Sequence, residues 1–151
     1  MRILITGDRA WYDPETAESV FGRLIVRHGA GFRIVHGGAS GIDRSFAEAC
    51  GELGIEQEVH PARWEELDAP GALLKQDRNG RQYVANAGAI RNAEMVAAGA
   101  AMCIAFHRDL ARSKGTRDCA RRAIQAGIPT YLVEDERAEP VRVRAGDRRL
   151  G

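Results

Sequence analysis

Four short stretches gather the residue types that bind anions and move protons: "TGDRAW" (6–11), "HGGASGID" (36–43), "HPARW" (60–64) and "FHRDLARSKGT" (106–116). The second lies inside "IVHGGASGIDRSFAEAC" (34–50), where an apolar run meets a glycine cluster and then an amphipathic stretch. Glycines at such a seam let backbone approach an anion closely. The first turn of the helix then offers unpaired N–H groups and the positive end of its dipole. The chemistry this suits is phosphate binding, with Gly37, Gly38, Ser40 and Gly41 as candidate donors. Gly115 and Thr116 open another helix and form a second anion seat. Thr6, Gly7 and Arg9 sit on the first loop, and Trp11 and Trp64 offer indole faces for stacking on a base.

Asp43 has two readings. Ser40-Gly41-Ile42-Asp43 matches a capping box, with Ser40 as N-cap and Asp43 at the third helical position. The other reading makes Asp43 a ligand contact. His36, His60 and His107 all terminate strands, but a shared metal is excluded by spacing. His60 and His107 fall three strand spacings apart, roughly 14 Å, whereas zinc ligands lie about 2 Å from one ion. No resident cofactor is implied.

The elements that must position these loops are legible from periodicity. Ile3–Thr6, Phe32–His36, Met102–Phe106 and Thr130–Val133 are short apolar runs of the kind buried in parallel sheets, and Glu56–His60 is a weaker, alternating fifth. Asp13-Pro14-Glu15 is an N-cap, a first-turn proline and a first-turn acid, followed by Ala17, Val20, Phe21 and Leu24 on one face. Ile42, Phe46, Ala49 or Cys50, and Leu53 form a second stripe, and Ala120, Ala123 and Ile124 a third. "ELGIEQEVH", "AAGAAMCIAFH" and "QAGIPTYLV" each read helix, glycine, strand.

This alternation predicts an α/β fold: a Rossmann-like three-layer sandwich around a mostly parallel five-stranded sheet of order 3-2-1-4-5. Ligands in such sheets bind beyond the carboxyl ends of the strands, where the four loops converge.

The 151 residues fit one domain over 1–134, with a long loop at 61–85 expected as a lid and a charged, solvated tail at 135–151. A net charge of +1 gives no bulk attraction to nucleic acid or membrane. The N-terminal apolar stretch is too short for a signal peptide or a membrane span. Three cysteines without CxxC spacing read as reduced, buried thiols of a cytoplasmic protein.

"TGDRAW", "HGGASGID", "HPARW", "AGAIRNAEMV" and "KGTRD", in that order, resemble the YspA/YpsA-related branch of the SLOG superfamily. That superfamily includes the DNA-processing protein DprA and the Lonely Guy enzymes. The resemblance covers about residues 1–134 and implies a nucleotide or nucleotide-derived ligand, and a homodimer. Arg91, followed by Asn92 in "IRNAEM", falls where the Lonely Guy enzymes have a catalytic arginine. Asp118 falls where they have a catalytic glutamate. Those enzymes split the N-glycosidic bond of nucleoside monophosphates. A carboxylate can stabilise an oxocarbenium-like state, and an arginine can hold phosphate or ribose oxygens. Where those enzymes carry Pro-Gly-Gly before their Gly-Thr pair, this chain has "HRDLARSKGT", with Lys114 in place to supply charge.

Three functions follow as expectations: a ligand-binding sensor, a phosphoribohydrolase using Arg91 and Asp118, and a DprA-like nucleic-acid module. The near-neutral charge and the lack of a basic, aromatic-interleaved stripe stand against the last.

Overall fold

A computed structural model describes residues 1–151. The elements run β1 (Arg2–Gly7), α1 (Pro14–His28), β2 (Arg33–His36), α2 (Ile42–Leu53), β3 (Gln57–Val59), β4 (Leu74–Gln76), β5 (Gln82–Val84), α3 (Ala87–Ala97), β6 (Met102–Phe106), α4 (Gly115–Gln125), β7 (Thr130–Val133) and β8 (Val141–Val143). Short 3-10 turns lie at Leu110–Arg112 and Arg148–Leu150.

Local signals account for most of these boundaries. Asp13 caps α1 by accepting from Thr16 N–H (3.1 Å) and from its hydroxyl (2.7 Å), and Pro14 opens the helix. Ala17, Val20, Phe21 and Leu24 are all buried, as their spacing predicts. On α2 the stripe of Ile42, Phe46, Ala49 and Cys50 is buried, but Leu53 in the last turn is exposed. Gly54, Gly99 and Gly127, the glycines between helix and strand, all carry positive φ.

The sheet is mixed, in the order β3-β2-β1-β6-β7-β8. The first five strands pair in parallel, which is the expected 3-2-1-4-5 order once the β4–β5 hairpin is set aside. Helices α1 and α2 bury one face around Ile3, Ile5, Ile34, Phe46, Phe106 and Val133. On the other face Leu4, Val35 and Cys103 pack beneath Met95 of α3 and Cys119 of α4. The three cysteines are free and buried. No helix is long and apolar enough to cross a membrane.

The sheet has six strands rather than five. The sixth comes from the segment expected as a solvated tail: β8 pairs antiparallel with β7. Val143 and Leu150 bury against Leu110, Ala120 and Leu132. Two apolar anchors among the arginines suffice to hold an edge strand. Of the segment's charges, Arg149 pairs with Asp147 (2.8 Å) and holds that carboxyl down at about 2.

The 61–85 stretch is likewise not a bare loop. β4 and β5 form an antiparallel hairpin around a turn in which Asp77 Oδ1 accepts from the Asn79 and Arg81 amides. The hairpin is tied back by Val84 N–H on the Trp64 carbonyl (2.7 Å) and Ala85 N–H on that of Leu73 (2.7 Å). Asn86 adds two side-chain bonds, to Leu73 N–H and the Gly71 carbonyl.

Candidate functional site

Strands β1, β2 and β6 end together, with Gly7 beside Phe106 in register and Asp8 N–H bonded to the Phe106 carbonyl (2.9 Å). The glycine loop after β2 folds onto the loop after β1. Ile42 N–H donates to the Asp8 carbonyl (3.1 Å) and Ser40 Oγ to the Arg9 carbonyl (3.1 Å). Gly41 makes this contact feasible. Its φ is +75°, and a Cβ there would lie 2.2 Å from the Asp8 carbonyl oxygen.

The capping box expected of Ser40 and Asp43 does not form. Gly41 is the N-cap residue and no side chain caps α2. The turn at Gly41 carries Ser40 over to the β1 loop, while Asp43 bends back and accepts at Oδ2 from the Gly37 and Ala39 amides (both 3.2 Å). Gly38 N–H is spent on His36 Nδ1 (3.0 Å), which leaves the His36 proton on Nε2, 2.8 Å from Gln57 Oε1. Three amides of the glycine loop are therefore engaged within the chain. Those of Ser40 and Gly41 make no bond to it.

Arg91, 9% exposed, comes from α3 and threads the centre. Its Nη1 donates to the Gly37 carbonyl (2.9 Å) and Nε to Asn92 Oδ1 (3.0 Å). Gly37 has no Cβ because one would sit 2.0 Å from that Nη1. Burial lowers the Arg91 pKa from its ordinary value, and the charge of Asp43 works against that shift. Asn92 Nδ2 reaches across to the Gly115 carbonyl (3.2 Å) and to Asp118 Oδ2 (3.1 Å), linking α3 to the start of α4. At that start the Thr116 amide bonds Ser113 Oγ (3.0 Å), while the Lys114 and Gly115 amides bond nothing in the chain.

Two cavities meet here. The first, ≈ 230 Å³, is walled by Thr6, Gly7, Asp43, Asn92 and Lys114 through Thr116. The second, ≈ 140 Å³, is walled by Gly37, Ser40, Ala62 and Trp64. Arg9, Ala39 and Arg91 belong to both walls. Each is smaller than the roughly 300–1,000 Å³ of a typical ligand pocket, but joined they form a cleft of fitting size. Arg9 lies over the Trp64 ring, 5.8 Å from its centroid. A larger groove, ≈ 670 Å³, runs along α1 over Met102, Ile104 and Tyr131, away from the loops at the carboxyl ends of the strands.

Of the residues singled out from sequence, Thr6, Gly7, Arg9, Gly37, Ser40, Asp43, Trp64, Arg91, Asn92, Lys114, Gly115 and Thr116 line this cleft. Gly38 and Gly41 shape its loop without lining it. Asp118 lies behind the wall, its carboxylate held by Asn92 and by Arg122 Nε (3.0 Å). Trp11 is core, edge-on to Phe106. Sequence reasoning missed Asp8. It weighed His107 only as a metal ligand. Both line the cleft, with Asp8 Oδ2 3.8 Å from His107 Nε2. Their position directly after β1 and β6 was the available signal. His60 faces Glu58 (3.0 Å) instead.

A mostly parallel α/β sheet with glycine-loop and helix-start amides at its carboxyl edge defines a Rossmann-like fold. The family model of the YspA, cpYpsA-related SLOG family matches residues 1–66. The "Gene 61 protein" of Mycobacterium phage D29 is 39% identical over 140 residues, covering 89% of this chain and 98% of that protein. The chain belongs to the YspA, cpYpsA-related SLOG family. No solved structure matches it.

Proposed function

We propose that the protein binds a nucleotide or nucleotide-derived small molecule across the joined cavities and acts as a ligand-binding sensor. One observation carries this reading: Arg91 joins a cavity that ends in the open amides of Lys114 and Gly115 to one that ends in the half-exposed indole of Trp64. Phosphate sits at the α4 start with Lys114, where amides and dipole favour an anion. The base stacks on Trp64 beneath Arg9. Family membership supports a nucleotide-related ligand.

Turnover is the second reading, because Asn92 ties Asp118 directly to the cleft floor at Gly115. The sensor is preferred because the Asp118 carboxylate is already spent on Asn92 and Arg122. The test is a thermal-shift panel of nucleoside mono-, di- and triphosphates, cyclic nucleotides and ADP-ribose. A ligand at a hundred times its Kd stabilises the fold by about 2.7 kcal/mol. Arg91→Ala should weaken binding by about 1.5–3 kcal/mol, roughly ten- to a hundred-fold. Free base released by the wild type and lost in Asp118→Asn would replace the sensor with the phosphoribohydrolase. Sedimentation would test the expected homodimer.

A further inference from the structure

We propose that Asp43 reads the sugar of the bound nucleotide: its free carboxylate oxygen accepts a hydrogen bond from a ribose hydroxyl, selecting ribonucleotides over their deoxy counterparts. This rests on the nucleotide reading above.

The observation behind it is an orphaned atom. Asp43 is only 6% exposed, and its Oδ1 has no hydrogen-bond partner in the protein. The carboxylate cannot rotate to share its bonds, because Oδ2 is pinned by the amides of Gly37 and Ala39. Nor does the neighbouring guanidinium serve it. Arg91 directs Nε to Asn92 and Nη1 to the carbonyls of Gly37 and His60. A buried acceptor left unmade is expensive, more so when charged. Burial accordingly raises the Asp43 pKa. A ligand donor would remove that cost: Asp43 belongs to the wall of the first cavity, and its Oδ1, closed to solvent, is reached as that wall gives way to the ligand.

The chemistry of the donor follows from position. Asp43 shares its cavity with the Lys114–Thr116 phosphate seat, and Arg91 leads from there to the Trp64 slot. Between the phosphate and base of a nucleotide lies its sugar, whose neutral hydroxyls donate. A metal cation is disfavoured beside the guanidiniums of Arg9 and Arg91, which line the same cavity. The discrimination expected is large in kind, since a site built to bond a hydroxyl rejects the analogue lacking it by leaving a buried polar group unpaired.

The experiment is calorimetric titration of the full chain with AMP, GMP, CMP and UMP, each paired with its 2′-deoxy and 3′-deoxy analogue. In the wild type, one deoxy series should bind at least about ten-fold more weakly than the ribonucleotide. Asp43→Asn keeps a carbonyl for the Gly37 and Ala39 amides but presents a donor where Oδ1 was. It should erase the preference by weakening only the hydroxyl-bearing ligand. Equal binding of ribo and both deoxy forms by the wild type overturns the proposal while leaving the nucleotide site standing. So does a folded Asp43→Asn chain that keeps the preference. If none of these nucleotides nor any in the wider panel binds, the nucleotide reading itself fails. The wild-type comparison decides even if the variant does not fold.

Discussion

Two glycines only four residues apart are glycine for different reasons, and their substitutions should separate fold from site. At Gly41 a Cβ would strike the Asp8 and Arg9 backbone, which cannot move without parting two loops, and φ is +75°. Gly41→Ala should therefore destabilise the fold by about 2–4 kcal/mol, from left-handed strain and overpacking together. At Gly37 the obstacle is the end of the Arg91 side chain, which can swing away. Gly37→Ala should cost less stability yet remove Arg91 from the cleft, so that urea melts stay near wild type while nucleotide stabilisation is lost. Asp43 adds a pH signature. Burial raises its pKa in the folded chain. Between the ordinary carboxylate value and that raised value, the native state keeps a proton that the unfolded state has released. Stability thus falls as pH rises through that window, and the cost persists above it. Relative to Asp43→Asn, the wild type should lose stability as pH rises above the ordinary carboxylate range. Denaturant titrations of both proteins within and above that range measure the difference directly.

The hairpin from Leu74 to Val84 belongs to the stretch whose sequence suggests a lid, which is a proposal to be tested. Its Val84 amide bonds the Trp64 carbonyl within the same insert, so movement of the hairpin would carry Trp64, a cleft-lining residue, with it. Leu67, Leu73 and Leu74 are exposed on this insert, and every residue of β4 is exposed. Few buried contacts mean a low local opening energy. We expect limited proteolysis to nick residues 61–85 first in the free protein and markedly more slowly with a bound nucleotide. Equal rates in the two states would leave the hairpin a fixed wall.

Across the molecule, the C-terminal segment is structural. Removing residues 135–151 would strip Val143 and Leu150 from the cluster that also holds Ala120 of α4, the helix whose start is the proposed phosphate seat. Each buried side chain of this kind contributes about 1.5–3 kcal/mol. A chain ending at Glu134 should therefore melt well below the full-length protein. Its nucleotide affinity should fall as well, because α4 loses part of its footing. Thermal denaturation followed by calorimetry on the two lengths tests both halves of the expectation.

The five parallel strands and their order, and the starts of α1 and α4, were legible from the sequence because their causes are local. Asp13-Pro14 caps and starts α1 within one turn, glycines stop helices where they stand, and apolar runs have the length of buried strands. The neighbourhood of the candidate cleft was legible for the same reason, since parallel strands must deliver their loops to one edge. Choices among competing partners were not. Asp43 could cap its own helix or staple the loop behind it, and the winner depended on how far the Gly41 turn swung Ser40 toward Arg9. Asp118 could face the cleft or Arg122, and Trp11 and Trp64 looked alike until one packed on Phe106. β8 was hidden because its three residues, Val141-Arg142-Val143, are too few for an alternating pattern to stand out among the charges around them. Hydrogen bonds are short-ranged and directional, so which acceptor a side chain finds is settled by backbone placement that no local pattern encodes.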